Sequence, residues 1–314
     1  MKTVLPFVGN PDYPFTAQWI DALQRAMPDE QIVPFAELDA QTRATCTVAV
    51  VANPRPEDVR ELPALTWVHS VWAGVERLVR DLADRDLQIV RLVDPQLAET
   101  MAEAVLAWTL YLHRDMARYA AQQTQRLWQP HDYVRPQRKT IGLLGLGALG
   151  EAAAQRLTGA GFNVCGWSRS PRSIAGVDCY AGDDALPAML ARADILVCLL
   201  PLTPQTTGLV NAAVLGQLPR GASLINFARG PIVDNVALKA SLDTATLKHA
   251  VLDVFATEPL PADSWHWTHP SVTVLPHISA PTDRETASAI VAANLRRYRE
   301  DGSVPVCVDR VRGY

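Results

Sequence analysis

Short apolar runs alternate with amphipathic stretches along most of this chain. Val4–Val8, Ile32–Phe35, Cys46–Val51, Leu65–Ser70 and Gln88–Leu92 read as strands. Trp19–Met27 reads as an amphipathic helix, and helical patterns separate some of the other strands. Alternation of this kind predicts a parallel sheet. The first region closes near Asp94-Pro95. Residues 98 to 118 then form a long helix whose apolar positions, Met101, Ala104, Val105, Leu106, Trp108, Leu110 and Leu112, cover more than one face. A helix that is apolar on most sides is buried between domains or subunits. The segment Gln122–Arg138 is polar, carries Pro130 and Pro136, and reads as a surface excursion.

The pattern then resumes. Lys139–Gly145 is a strand entering a glycine turn, Ala148–Leu157 the helix after it, and Phe162–Trp167 the next strand. Asp194–Leu200, Ser223–Phe227, Ala250–Val254 and Val272–Leu275 are further short apolar strands. Helical patterns such as Asp184–Ala191 and Asn235–Leu242 separate most of them, which predicts a doubly wound sheet. A last helix, Asp283–Glu300, follows Pro281 and is placed to return to the first region.

At 314 residues the chain exceeds the usual size of a single core, so two domains are expected. It is 48% hydrophobic and 20% charged, as soluble globular proteins are. A net charge of -4 argues against nucleic acid or a membrane surface as partner. Ala98–Leu112, the longest apolar-leaning stretch, is broken by Glu99, Glu103 and Thr109 and is too short to span a bilayer. The first residues lack a full signal-peptide plan. The five cysteines are scattered with no C-x-x-C pair, so free thiols in a reducing cytoplasm are expected.

Gly145, Gly147 and Gly150 match G-x-G-x-x-G between a strand and a helix. Gly145 permits the tight turn, Gly147 lets phosphates approach the backbone, and Gly150 lets the helix pack on the sheet. The helix N-terminus then offers free N–H groups and a favourable dipole to a pyrophosphate. A site for NAD(H) has an acidic residue about twenty residues past the glycines, on the ribose 2′-hydroxyl. Here the run is Trp167-Ser168-Arg169-Ser170-Pro171-Arg172, with no carboxylate until Asp178. Arg169, with Arg172 as a second candidate, offers a planar fork to a 2′-phosphate, and Ser168 and Ser170 add hydroxyls. The composition of this run favours NADP(H), with NAD(H) as the alternative.

Three downstream runs carry reaction chemistry: Phe227-Ala228-Arg229-Gly230, Asp253–Pro259 and Pro276-His277-Ile278-Ser279. Hydride transfer to a 2-oxo acid leaves negative charge on the carbonyl oxygen. A proton donor must stand beside that oxygen, and a cation must hold the carboxylate. His277 suits the first role because its ordinary pKa lies near neutrality. Glu258 can orient the imidazole and favour its protonated form. Arg229 can bind the carboxylate and polarise the carbonyl.

At these residues the chain resembles the D-isomer-specific 2-hydroxyacid dehydrogenase family. The matching pieces are Gly145–Gly150, Leu200–Thr206, Asn226–Gly230, Asp253–Pro261 and Pro276-His277. The resemblance spans essentially the whole chain. It implies an α/β architecture of two Rossmann-like doubly wound parallel-sheet domains, with a cofactor domain (98–281) inserted into a split substrate domain (1–97 and 282–314). It implies a homodimer formed through the helix near 98–118. It also implies Arg229, Glu258 and His277 as the catalytic set, and Ala73-Gly74-Val75 as a loop whose N–H groups, with Arg229, bind the substrate carboxylate. Coenzyme contacts are implied for Gly145, Gly147, Ala148, Leu149 and Gly150, for Leu200, Pro201 and Thr206, and for Phe227, Ala228, Arg229, Asp253, His277 and Ser279.

Within the family the chain is most similar to the glyoxylate/hydroxypyruvate reductase A branch, which reduces glyoxylate and hydroxypyruvate with NADPH. The pointers are the compact length, Trp72–Glu76, Ser168–Ser170 and Pro276–Pro281. Relatives with formate dehydrogenase activity carry glutamine where this chain has Glu258. A phosphoglycerate dehydrogenase would be expected to carry an added regulatory domain and an acidic NAD residue. The rival reading is a nucleotide-sensing protein like the corepressor relatives; the chain lacks obvious recruitment tails. Another 2-oxo acid as substrate stays open.

Asp253 reads as structural, or as bonded to the nicotinamide amide as the resemblance suggests. Other residues read as structural. His266 and His269 form H-x-x-H without cysteine or carboxylate partners at ligand spacing, so no metal is expected. Trp265 and Trp267 read as packing or pocket-rim residues. Trp72 fits a pocket wall and the core equally, and Asn53–Pro56, just after a strand, reads as a plain surface loop, with a place in the lining of the site as the alternative.

Overall fold

The computed structural model describes residues 2–310. The chain divides into two compact units, one running up to Gln96 and resuming at Thr282, the other Leu97–Pro281.

The first unit contains β1 (Thr3–Gly9), α1 (Thr16–Ala26), β2 (Glu30–Pro34), α2 (Ala40–Thr45), β3 (Val48–Ala52), α3 (Pro56–Arg60), β4 (Trp67–Ser70), α4 (Glu76–Asp81) and β5 (Gln88–Val90). Its five strands are parallel in the order β2-β1-β3-β4-β5. Val48–Ala52 is buried at every position, because a parallel sheet is covered on both faces. Alternate residues feed the two layers. Leu5, Phe7, Val48, Val50 and Trp67 meet Trp19 and Leu23 of α1, while Ala49, Val51, Val68 and Ile89 meet Val59, Leu62 and Leu82.

The second unit contains α5 (Pro95–His113, its first residues in the chain's crossover), α6 (Met116–Thr124), β6 (Thr140–Leu144), α7 (Ala148–Gly159), β7 (Asn163–Ser168), β8 (Val177–Ala181), α8 (Leu186–Leu190), β9 (Ile195–Cys198), α9 (Ala212–Leu215), β10 (Ala222–Asn226), α10 (Asn235–Asp243), β11 (Leu247–Leu252) and β12 (Val272–Val274). Seven parallel strands run in the order β12-β11-β10-β9-β6-β7-β8. The chain starts at β6, builds outward to β8, then returns to β9 on the other side, so the strand order reverses between β6 and β9. Ile141, Leu143, Val197, Ile225 and Val251 face one core; Leu144, Leu196, Cys198, Leu224 and Leu252 face the other.

The last helix, α11 (Arg284–Asp301), completes the first unit. Asp283 caps it by accepting from the N–H groups of Glu285 and Thr286, worth about 1 kcal/mol. It ends on Gly302 at φ +76, the left-handed turn glycine takes without strain. Ala287, Val291 and Leu295 enter the same core as α1. Three side-chain ties join α11 to the earlier part of this unit. Thr286 donates to Asp94 at 2.6 Å, Asn294 lies 2.9 Å from His69 Nε2, and Arg299 grips Glu30 at 3.0 and 3.3 Å. Burial pushes the His69 imidazole down to about 4, so this tie is made by a neutral ring.

Three sequence expectations need correction. The helix expected over 98 to 118 is two helices, because the chain turns at Asp115 in the left-handed region, φ +54. The second of them runs into the stretch expected to be irregular from Gln122. The strand β8 was not anticipated; it is an edge strand, and Asp178 interrupts its apolar run. Of the cysteines, Cys46, Cys165 and Cys198 are buried, and all five are free thiols.

Candidate active site

All the reaction-bearing runs leave the second sheet at the C-terminal ends of its strands, where open α/β sheets present their ligand sites. Successive strand ends are laced together. The Gly145 N–H donates to Trp167, Leu199 to Leu144, Phe227 to Cys198, Asp253 to Asn226, and Leu275 to Leu252.

The glycine turn follows β6. Gly145 sits at φ +105, and a Cβ there would press 3.0 Å from the Leu199 carbonyl. A Cβ at Gly150 would lie 1.9 Å from the Gly145 carbonyl oxygen, so only glycine lets α7 start this close to the turn. Gly147 is different: a Cβ there meets nothing within 4 Å. It is the N-cap of α7, and no side chain caps that helix. The helix thus starts at an open surface, with Ala148 exposed and Leu149 half-buried, while Gly150 is buried against the Gly145 turn.

Ser168 ends β7, with Arg169, Ser170 and Arg172 exposed after it. The Ser168 hydroxyl donates to the Ser170 carbonyl at 2.7 Å and shapes this turn. Asp178, the first carboxylate past the strand, is 2.8 Å from Arg192 and is neutralised there. Leu200 and Pro201 follow β9. Thr206, whose hydroxyl donates to Pro201 at 2.7 Å and accepts from the Thr203 N–H at 2.8 Å, holds the loop after them.

Arg229 is set by the turn after β10. The Asn226 side chain accepts from the Ala228 N–H and donates to the Arg229 carbonyl, both at 3.2 Å. Phe227 and Ala228 are buried, while Arg229 is half-buried with Nη1 donating to the Ala228 carbonyl at 2.6 Å. Gly230 lies against the backbone of Phe255 and Ala256. This turn therefore abuts the loop that carries Glu258. Sequence reasoning assigned no role to Asn226 or Gly230, although both lie inside the motif around Arg229.

Glu258 has two partners. Oε1 accepts from the Phe255 N–H at 2.8 Å, and Oε2 lies 2.8 Å from His277 Nδ1. Burial pushes the Glu258 carboxyl up. The hydrogen bonds from His277 and Phe255, with the charges of His277 and Arg229, outweigh it and hold the group below its ordinary range. His277 moves the other way. The Glu258 hydrogen bond raises its pKa, burial opposes, and the Glu258 and Asp253 charges outweigh that of Arg229. With Nδ1 engaged by Glu258, Nε2 is the ring atom left to exchange a proton. His277 itself lies at φ +56, a conformation costing a residue with a Cβ on the order of 1–2 kcal/mol. Asp253, 2% exposed, accepts from the Ile278 N–H at 2.7 Å and the Ser279 N–H at 2.8 Å.

In the first unit, Ala73, Gly74 and Val75 link β4 to α4. No described residue accepts a hydrogen bond from their N–H groups. The Trp72 N–H donates to the Ser70 hydroxyl at 3.0 Å, fixing the start of the loop. The Trp72 ring meets Tyr13 and Trp19 edge to face at 5.9 and 5.4 Å, so it joins the core side of this unit. Asn53, Pro54 and Pro56 share a cleft with Ser70, Gly74 and Arg77, in line with the alternative to a plain surface loop. His266 is buried between Ser264 and Asn235 and stacks on Trp265, while His269 pairs with Asp243. Trp265 packs against the second unit's core, and Trp267 is exposed.

A family model described as the D-isomer specific 2-hydroxyacid dehydrogenase NAD binding domain matches residues 106–279. The chain belongs to the D-isomer specific 2-hydroxyacid dehydrogenase family. Its similarity reaches past that domain. It is 38% identical over 304 residues to the glyoxylate/hydroxypyruvate reductase A of Yersinia enterocolitica, covering 95% of this chain and 96% of that one. It is 34% identical to the protein of the same name from Salmonella paratyphi B, with the same coverage. Among solved structures, a D-isomer specific 2-hydroxyacid dehydrogenase from Xanthobacter autotrophicus in complex with NADPH superposes with a TM-score of 0.91 at 38% identity. An NADPH-dependent glyoxylate/hydroxypyruvate reductase from Sinorhizobium meliloti in complex with NADP and sulfate gives 0.91 at 33%. Both cover all of this chain and all of theirs. Two Rossmann-like parallel-sheet units are the architecture of this 2-hydroxyacid dehydrogenase.

Proposed function

We propose that this dehydrogenase reduces a small 2-oxo acid, of the glyoxylate and hydroxypyruvate class, to the 2-hydroxy acid with NADPH. The observation that carries the reading is the 2.8 Å His277–Glu258 pair standing at the same sheet edge as Arg229 and the glycine turn. The second unit is the coenzyme domain, and the first, split unit is the substrate domain.

The residues around the glycine turn fit a dinucleotide. The open space at Gly147 and the uncapped start of α7 suit a pyrophosphate. The end of β7 suits a 2′-phosphate, with Arg169 and Arg172 there, Ser168 and Ser170 beside them, and the nearest carboxylate spent on Arg192. The relatives solved with NADPH or NADP support this choice over NADH. Leu200, Pro201, Phe227, Ala228 and Ser279 flank the same strand ends and are assigned to the coenzyme's walls. When bound, the nicotinamide supplies the hydride.

The chain's own groups do the rest. Arg229 binds the carboxylate as a two-pronged donor and steadies charge growing on the carbonyl oxygen. His277 delivers a proton to that oxygen from Nε2. Glu258 keeps the imidazole oriented and protonated at neutral pH. In the first unit the N–H groups of Ala73, Gly74 and Val75 serve the substrate carboxylate as donors.

We assign a homodimer formed through α5 and α6. Leu110, Met116, Tyr119, Leu127, Trp128 and Tyr133 are exposed on and just after these helices, more apolar surface than one segment of a monomer usually shows. Among the described residues no helix is long and apolar enough to cross a membrane. The free thiols support a cytoplasmic location. A panel of 2-oxo acids assayed with NADPH and with NADH tests the reading. Highest kcat/KM is expected for glyoxylate or hydroxypyruvate with NADPH. Tight NADPH binding without turnover of any 2-oxo acid would point to a nucleotide sensor instead.

A further inference from the structure

Glu258 rides on the excursion between β11 and β12, and little of that excursion is held by backbone. Among the described residues, no backbone–backbone hydrogen bond involves residues 254–260. Side chains close the loop instead. Toward its end the Trp267 Nε1–H donates to the Pro261 carbonyl at 2.9 Å. At its neck the Phe255 ring meets the His266 ring at 79°, with centroids 5.3 Å apart. His266 is 4% exposed, and its ring is fixed by three neighbours. Nδ1 lies 2.7 Å from the Ser264 hydroxyl, and Nε2 lies 3.3 Å from Asn235 Oδ1. A carbonyl oxygen only accepts, so Nε2 carries the hydrogen and Nδ1 accepts from Ser264. The ring also stacks on Trp265 at 3.9 Å and 23°. Asn235 opens α10, the helix that follows the Arg229 turn, so the imidazole joins that helix to the loop of Glu258.

Phe255 is where this brace reaches the reacting pair. Its N–H donates to Glu258 Oε1 at 2.8 Å and leaves Oε2 for His277 Nδ1. Its carbonyl carbon presses on Gly230, and its ring rests on His266. We propose that His266 is a positioning residue of the His277–Glu258 pair. By holding Phe255 it keeps Glu258 turned so that Oε2 meets Nδ1. An apolar side chain could fill the same space. The imidazole adds two directional bonds that fix the plane of the ring, and with it the place of Phe255. The effect on turnover rests on the reading of His277 as the proton donor.

His266 acts here through geometry rather than charge. Burial, with the charge of His269 beside it, holds its pKa below the ordinary value, so the ring is neutral at neutral pH. The charged groups facing His277 are Glu258, Arg229 and Asp253. Those around the brace are Lys239, 5.8 Å from the Trp265 ring centroid, and Asp243, which pairs with His269. Replacing His266 leaves all of them in place. A change in the His277 titration then reports how firmly Glu258 is held.

The test compares His266→Leu, His266→Gln and Phe255→Leu with wild type, and combines the first and the last. Four quantities are read: Tm, the His277 imidazole titration by NMR without substrate, the NADPH dissociation constant, and kcat against KM for glyoxylate. His266→Leu should lower the His277 pKa and, with it, the upper apparent pKa of the kcat profile. At neutral pH kcat should fall about tenfold, as for a catalytic group slightly displaced. KM for glyoxylate and NADPH affinity should stay near wild type. Phe255→Leu should do the same, and the double variant little more than either, because both act on one contact. A lower Tm with an unchanged His277 titration in His266→Leu would make His266 a packing residue and overturn the proposal. Full additivity in the double variant would overturn it too. Should His266→Leu fail to fold, His266→Gln decides. It keeps a group for Asn235 and has no ring for Phe255, so its His277 pKa should still fall; a wild-type titration there overturns the proposal. The titration needs no substrate. A wild-type protein inactive on every 2-oxo acid would therefore defeat the assigned reaction, while the His277 pKa still decides the brace.

Discussion

Gly230 lies so close to Phe255 that a Cβ on residue 230 would stand 2.0 Å from the Phe255 carbonyl carbon and 2.3 Å from the Ala256 nitrogen. Backbone cannot swing aside as a flexible side chain can. Gly230→Ala must push the Arg229 turn and the Glu258 loop apart, at a cost of about 1–3 kcal/mol. A lower Tm and a lower kcat are expected together. Gly147→Ala is the control, because a Cβ there meets open space. Its Tm should stay at wild type while NADPH binding weakens, since the added methyl stands where the pyrophosphate approaches. An unaltered Tm in Gly230→Ala would show that the two turns are not in register as described.

The proposed coenzyme site puts the 2′-phosphate on Arg169. A charge-assisted contact to phosphate contributes roughly 1.5–3 kcal/mol. Arg169→Ala should therefore raise KM for NADPH by on the order of tenfold or more, with NADH use hardly changed. A wild-type preference for NADH would refute the assignment.

The proton delivery proposed for His277 has a pH signature. His277 is raised above its ordinary pKa by the Glu258 hydrogen bond, so the donor form persists to higher pH than in a free imidazole. Glu258→Gln should lower the upper apparent pKa of the reduction profile, and His277→Ala should cut kcat by about a hundredfold or more while NADPH still binds. The same pair makes stability depend on pH. The raised His277 contributes stability that is fully present below its unfolded pKa and is lost as pH rises through the folded value. The lowered Glu258 contributes stability present above its unfolded pKa and lost as pH falls through the folded value. Denaturation midpoints of wild type and Glu258→Gln should converge as pH falls through the folded Glu258 value, and the gap between them should narrow as pH rises through that of His277. A profile identical in the two proteins would count against the pairing.

Arg229 is distinguished from a plain cation by its fork. Lysine keeps the charge and loses the second prong. Arg229→Lys should raise KM for the 2-oxo acid and lower kcat together. A bulky residue at Gly74 should impair substrate binding and leave NADPH affinity near wild type. If Arg229→Lys shifted Tm and spared kcat/KM for glyoxylate and hydroxypyruvate, Arg229 would be a brace for the strand end and no more.

Local spacing made much of this site legible. A glycine turn between strand and helix, and charged residues one step past short apolar strands, have few conformations open to them, so Gly145–Gly150, Arg229, Glu258 and His277 could be placed from sequence. What escaped depends on distant partners. The break at Asp115 coincides with its pairing to Lys248, far along the chain, and nothing near residue 115 announces it. Strand β8 was hidden by Asp178, whose charge is answered by Arg192 in the turn after α8. Trp72 was ambiguous until Tyr13 and Trp19 were seen around its ring. The double use of the Asp253 carboxylate is invisible in a motif, because its two partners are backbone groups 25 and 26 residues on.

The split first unit reverses the order in which the domains can be finished as the chain is made. Its sheet emerges from the ribosome first, yet α11, which covers Leu5, Trp19 and Trp67, emerges last. Between Gln96 and Arg284 the whole second unit is synthesised. At about 5–20 residues per second that interval is on the order of ten seconds or more. For that time the part of this core that α11 completes beside Trp19 and Leu23 of α1 stands uncovered, with Glu30, His69 and Asp94 lacking their α11 partners. The first unit is therefore where a chaperone's protection counts, and substitutions at Ala287, Val291 or Leu295 should reduce the yield of folded protein more than their effect on its final stability would suggest.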